Sequence, residues 1–332
     1  MTTLTSPLDL LSAIPFLVGY TPEDSIVLIS LRDDSIDVAM RIDFPSSLDT
    51  QSLQNLVDHL HRNRAEAAIL VSYIPDTCMD ADVILKWLID AIDEREIPLR
   101  ESIVVVAGRW RSMFCDDNEC CPIEGSELPP LESSRIAAEQ VAQGKPLPFP
   151  SVDAMIDSMA HIEDETLIAK IAEIPPIDYS NKPEVRQRIG AGAIIDFLHD
   201  FESDGICRDK GLVATALFYL RDLQVRDFAL GSVSLENSDL CFAAWRWMLR
   251  IAPRGYVAPV ATIFAAICYE RGDGAMAQRA LDRADEDEPG YALTHLLREV
   301  FKAGLPPTIF ASMRSELHPK VCEAIFSGSM KA

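Results

Sequence analysis

In the N-terminal third of the chain the hydrophobic positions change rhythm repeatedly, and each change marks an element. Ser6-Pro7-Leu8-Asp9 opens a helix: Ser6 suits the N-cap, Pro7 the first helical position, and Asp9 places a carboxylate three residues after the cap. This helix is expected to run to about Ile14, with residues 15–22 as a turn. Residues 25–31, Ser-Ile-Val-Leu-Ile-Ser-Leu, form an apolar run of strand length, the pattern of a strand covered on both faces. Asp33-Asp34-Ser35 supplies turn chemistry, and Ile36, Val38, Met40 and Ile42 then alternate with Asp37, Ala39, Arg41 and Asp43, so a hairpin is predicted.

From Asp49 the spacing becomes helical through Leu53, Leu56, Val57 and Leu60, and a buried strand follows over 67–73. A second amphipathic helix is read over 80–95 through Ile84, Leu85, Leu88, Ile89 and Ile92, and another buried strand over 103–107. Helices joining strands that are apolar on both faces predict parallel βαβ units, hence an α/β domain with a mixed sheet in an αβα sandwich. Residues 109–114 are expected to turn back as an extra antiparallel strand.

Pro129-Pro130, a short helix over 133–143 and the proline-rich stretch 144–150 interrupt this pattern, because proline density excludes both helix interior and sheet. The predicted division is an α/β domain over 1–128, a proline-rich linker with a short helix over 129–150, and an all-α domain over 151–332. In that last part helices are read over 184–201, 212–230, 239–251, 258–270, 274–285 and 291–303. Phe264, Ala265, Cys268, Gly272, Ala277, Leu281, Ala284 and Pro289 fall at the relative positions a tetratricopeptide unit uses to pack two antiparallel helices, so the all-α domain is predicted to hold tetratricopeptide-like helical hairpins.

Composition narrows the partners. The 332 residues include 30 Lys and Arg against 52 Asp and Glu, a formal net charge of −22, with the excess mainly in the first 150 residues. A field of that sign repels phosphate backbones and anionic headgroups, which excludes nucleic acid and membrane surface as the expected partners. No basic stretch precedes the first apolar segment, and no run approaches the length of a membrane span, so a cytoplasmic setting is expected. There the eight cysteines are expected to be reduced thiols, with metal or redox roles for any that cluster.

Chemically distinctive residues concentrate in Gly108-Arg109-Trp110-Arg111-Ser112-Met113-Phe114-Cys115, followed by Cys120-Cys121-Pro122. Cys115, Cys120 and Cys121 are candidates for a thiolate metal site, with zinc the ion such ligands would take, for a redox couple, or simply for pinning a loop onto the core. Adjacent cysteines are an unusual ligand pair, CxxC pairs are absent, and Cys78 is the cysteine considered for a fourth position. In an extended strand Arg109 and Arg111 share one face opposite Trp110, which suits either an anionic ligand or internal pairing with Asp116, Asp117 or Glu119. Gly190-Ala191-Gly192 lies inside an amphipathic helix with no strand before it, so close helix packing explains it better than a dinucleotide loop. There is no GxxxxGK[ST], HExxH or GxSxG motif, and the histidines give no co-ligand pair.

Four segments carry a resemblance: Pro15-Phe16-Leu17-Val18-Gly19-Tyr20-Thr21-Pro22-Glu23-Asp24-Ser25, Gly108-Arg109-Trp110, Cys115 with Cys120-Cys121-Pro122, and the region from Gly272-Asp273-Gly274 to Pro289-Gly290-Tyr291. The chain resembles an actinobacterial family known as domain of unknown function 4192. The family pattern often has a second aromatic at the position of Arg111, and a proline or small residue at that of Ile123. The resemblance implies a lineage and a cytoplasmic setting but transfers no catalytic residue.

The expected function is that of a non-enzymatic cytoplasmic interaction or scaffold protein whose helical domain binds a protein or peptide partner. The alternative is an enzyme or small-ligand sensor, metal- or thiol-dependent, with its site at the carboxyl ends of the parallel strands. Asp24, Asp76, Arg109 and Arg111 would then line it beside the cysteine loop.

Overall fold

The structure, a computed structural model, describes residues 3–176 and 182–326. The chain divides into two compact units, Met1–Met155 and Ile156–Ala332.

The first unit runs α1 (Pro7–Val18), β1 (Ser25–Arg32), β2 (Ser35–Asp43), α2 (Thr50–Arg62), β3 (Ala67–Tyr73), α3 (Ala81–Asp93), β4 (Leu99–Val106), β5 (Arg109–Ser112), β6 (Ser126–Glu127) and α4 (Arg135–Ala142). The strands form one mixed sheet in the order β2-β1-β3-β4-β5-β6. Side chains alternate across it. Ile26, Leu28, Ala68, Leu70 and Val104 meet α2 and α3 on one face. Val27, Ile29, Val71, Tyr73, Ile103, Val105 and Trp110 meet α1 on the other. Each fully buried Leu or Ile contributes about 1.5–3 kcal/mol through the water it sheds, so the two clusters hold the three layers together.

Two expectations need correction here. Of the two helical connections, only α3 joins neighbouring parallel strands, β3 and β4. β1 is antiparallel to both β2 and β3 and lies between them, so α2 links like-directed strands across an inserted third. A continuous apolar run reports burial on both faces but carries no direction, which is why the sequence misleads at β1. The first helix also passes the expected stop at Ile14 and ends at Val18, with Pro15 inside it. The buried Ile14 and Val18 hold its last turns against the sheet, and Gly19, at φ 89°, closes it by donating its N–H to the Pro15 carbonyl. Ser6 caps the start as predicted, accepting from the Asp9 N–H.

After α5 (Val152–Asp157), every element of the described chain is helical: α6 (Glu165–Ala172), α7 (Pro183–Asp204), α8 (Lys210–Tyr219), α9 (Leu223–Gly231), α10 (Ser238–Ile251), α11 (Val257–Glu270), α12 (Gly274–Asp287), α13 (Ala292–Lys302) and α14 (Pro307–Phe326). The single helix expected over 212–230 is in fact two, α8 and α9. Asp222 breaks it: its carboxylate accepts the Gln224 N–H as an N-cap and also binds Arg186 and Gln187 of α7. α5, α6 and α14 had no counterpart in the sequence reading, and α14 contains Pro319, a residue that reads as a breaker. Among the described residues no helix is long and apolar enough to cross a membrane.

Candidate functional site

Ala107 and Gly108 connect β4 to β5 with φ of 47° and 72°, the backbone of a two-residue turn with both central residues left-handed. This tight reversal sets the register in which Arg109 lies opposite Val106 and Arg111 opposite Val104. Trp110, between them, is buried on the α1 face, as the alternation requires.

The chain leaves the sheet at Ser112 and returns at Ser126, which pairs with Trp110. Both ends of this excursion are fastened. At departure, Met113 N–H donates to the Ser102 carbonyl, and Ser112 Oγ donates to Glu101 while accepting from Phe114 N–H. At the return, Arg109 Nε lies 2.9 Å from the Glu124 carbonyl oxygen and Arg109 Nη2 lies 2.6 Å from that of Gly125. Gly125 has φ 76°, and a Cβ there would sit 3.1 Å from the Trp110 carbonyl oxygen, so the return requires glycine.

Inside the loop the Asp117 carbonyl accepts the N–H groups of both Cys120 and Cys121, and its side chain accepts Glu119 N–H. This turn gathers Cys115, Cys120 and Cys121 until their sulfurs all lie within 4.8 Å of one another. Cys121 is buried, Cys115 half-buried and Cys120 exposed. The Cys120 thiol is pushed up to about 11 by its hydrogen bonds and charge interactions with Cys121 and then Cys115. Sulfurs this close resist accumulating negative charge on their own. Among the described residues no histidine or carboxylate completes the set, and Cys78 stands apart, its sulfur 3.9 Å from the Pro45 carbonyl oxygen.

The other residues singled out from sequence are distributed differently. Asp24 precedes β1, whose Ser25 pairs with Tyr73, and Asp76 follows β3, so both exposed carboxylates and Arg109 mark the end of the sheet where β3 and β4 finish. The cysteine loop departs beside Ile103, toward the opposite end of β4, and meets Arg109 only through its returning backbone. Arg109 therefore spends its donors on the loop, with the Glu127 carboxylate 3.8 Å away in place of the partners expected from sequence. Arg111 points Nη2 at the Met113 sulfur, 3.8 Å away.

A second concave feature lies in the helical unit, between α9, α13 and α14. It is a groove of about 520 Å³ walled by Leu230, Leu293, Leu297, Val300, Phe310 and Met313. Arg314 locks α14 in place from below, pairing through Nε and Nη2 with the two Glu270 carboxylate oxygens and reaching the carbonyls of Leu230 and Gly231 at the end of α9. The buried Arg226 pairs with Asp227 and reaches the Tyr291 hydroxyl, and the exposed Lys320 also lines the groove. Sequence pattern alone does not show this groove, because no helix is predicted where α14 lies. The available signal was on α13, whose Leu293, Leu296, Leu297 and Val300 stripe is wider than packing on one neighbour demands.

The family model described as domain of unknown function (DUF4192) matches residues 7–308. The chain belongs to the DUF4192 family. No curated protein and no solved structure matches it. The DUF4192 match contains the whole cysteine loop together with α9 and α13, and it ends at the start of α14.

Proposed function

We propose that this DUF4192 protein is a cytoplasmic interaction module, in which the groove between α9, α13 and α14 receives an amphipathic helical segment of a partner protein. The observation that carries this reading is the apolar wall left exposed among the described residues. Leu296, Met313 and Leu317 border the groove at 60%, 53% and 57% exposure, large side chains that gain about 1 kcal/mol or more each when a partner covers them. Side chains spaced at i, i+3 and i+7 on a guest helix fit a trough between helices of this kind. The rim adds a preference: Lys320 is an exposed cation there, whereas Arg226 and Arg314 are buried and already paired with Asp227 and Glu270. An acidic residue beside the apolar anchors would complement Lys320.

Tetratricopeptide-like packing of α11 on α12 is part of the same proposal. Phe264, Ala265, Cys268, Ala277, Leu281 and Ala284 are all fully buried, as tightly packed small and aromatic positions of such a hairpin would be. The test uses a photo-crosslinking amino acid at Leu317, with a control at Met79, which is 96% exposed and belongs to the first unit. Expected is a saturable adduct to a defined partner from position 317 alone, abolished by Leu296→Glu, and binding of a synthetic acidic amphipathic peptide derived from the cross-linked segment. Equal labelling from both positions, or an adduct indifferent to Leu296→Glu, would overturn the reading.

A further inference from the structure

The geometry points to a second activity in the first unit, independent of the groove: we infer that Cys115, Cys120 and Cys121 bind one zinc(II) ion through three thiolates, leaving an outward coordination position open to solvent or to an exogenous ligand.

Three lines of geometry converge on this. The first is sulfur spacing. Zinc–thiolate bonds of about 2.3 Å place the sulfurs of a tetrahedral face about 3.8 Å apart, so a trio already within 4.8 Å needs a contraction of about 1 Å at most. The second is support from groups that are not ligands. Arg109, Ser112 and the Asp117 carbonyl hold the loop from both ends and from its middle, so the sulfurs are positioned by the sheet edge as well as by their own contacts. Outer contacts of this kind are what fix metal ligands in place. The third is the donor set itself. With three sulfurs and no carboxylate or imidazole among the described residues, the site selects a thiophilic ion over magnesium or calcium, whose ligands are oxygens.

Burial sets the direction of the open position. Cys121 is seated on the protein side and Cys120 faces solvent, so the ion would sit at the surface of the loop with its free position outward. Structural zinc sites are closed by four protein ligands, whereas an open position characterises sites that exchange ligands or activate water. On binding, each cysteine forms a sulfur–zinc bond and gives its proton to solvent. Three protons leave for one divalent cation, and no oxidant or reductant takes part.

The test uses the full-length protein, purified anaerobically with reductant and freed of metal, and titrated with zinc against a chromophoric chelator. A parallel titration with cobalt(II) reads thiolate ligation directly through its sulfur-to-metal charge-transfer band. Expected are one equivalent of zinc, a charge-transfer intensity matching three thiolates, and zinc protection of these three cysteines from alkylation. Cys120→Ser, at an exposed position, is expected to weaken binding by about 100-fold or more while the thermal transition is retained. Cys78→Ser and Cys322→Ser, both outside the trio, are expected to bind as the parent does. Binding unchanged in Cys120→Ser would overturn the inference. So would alkylation rates indifferent to zinc, or a disulfide joining two of the trio in protein thiol-blocked at lysis.

Discussion

Gly190 and Gly192 lie two residues apart inside α7, and the same substitution is expected to have opposite effects at the two positions. In a helix interior alanine is favoured over glycine by about 1 kcal/mol, because glycine loses more backbone freedom on folding. At Gly192 nothing lies within 4 Å of where a Cβ would be, so Gly192→Ala keeps that gain. At Gly190 the added carbon would come within 2.7 Å of Tyr219 Cβ and 2.8 and 2.9 Å of the two Val225 methyls. These are the end of α8 and the first turns of α9, and a Cβ cannot swing aside as a side-chain tip can. Overpacking of this kind costs about 1–3 kcal/mol and exceeds the propensity gain. The two variants should therefore differ by about 1–3 kcal/mol, with Gly192→Ala above the parent and Gly190→Ala at or below it. For a unit of this size each kcal/mol moves the thermal midpoint by about 2–4 °C. Circular dichroism at 222 nm follows the transition, and hydrogen exchange of the α7 amides localises it. Parallel shifts of the two variants, in either direction, would show that α7 does not approach α8 and α9 at Gly190.

Two further outcomes follow from buried and linked charge. Arg314→Met strips the cation from Glu270 and the donors from the end of α9, and is expected to cost about 3–5 kcal/mol, whereas adding Glu270→Gln restores part of that stability. A urea midpoint for the double variant no better than for the single would refute the pairing. Asp9 is held down to about 2 by hydrogen bonds from the Thr5 N–H and hydroxyl and by Arg135, below its ordinary 3.8. A depressed carboxyl contributes stability that is complete above the unfolded value and disappears as pH falls through the folded one. Asp9→Asn should therefore flatten stability between about pH 4 and pH 2, and a pH profile identical to the parent's would count against the linkage.

Much of the first unit is visible in hydrophobic rhythm alone, because a strand covered on both faces and a helix covered on one leave different periods. The runs at Ile26 to Ile29, Ala68 to Val71 and Ile103 to Val105 all became strands of one sheet, and the stripe Leu53, Leu56, Val57 and Leu60 became the buried side of α2. Strand direction was illegible because apolar residues report burial without polarity. The break at Asp222 was illegible for a different reason. Its carboxylate caps α9 while also binding Arg186 and Gln187, some 35 positions away in sequence, contacts that no local pattern reveals. Pro319 concealed α14, and with it the third wall of the groove.

The cysteine loop shows why spacing motifs are a one-way test. Zinc ribbons place two residues between paired cysteines so that a tight turn points both sulfurs inward, and Cys120-Cys121 breaks that rule. In an extended segment neighbouring side chains diverge, so adjacency argues against shared ligation. Here the backbone is not extended: one carbonyl, that of Asp117, accepts from both cysteine N–H groups and bends the chain through them. That bend removes the alternation on which the objection rests. The third sulfur then depends on where the loop is tied at its two ends, which is the work of Ser112 and Arg109. The arginine whose chemistry suggests an anion site in sequence thus acts through its own chain, as the clamp that keeps the returning loop beside Trp110.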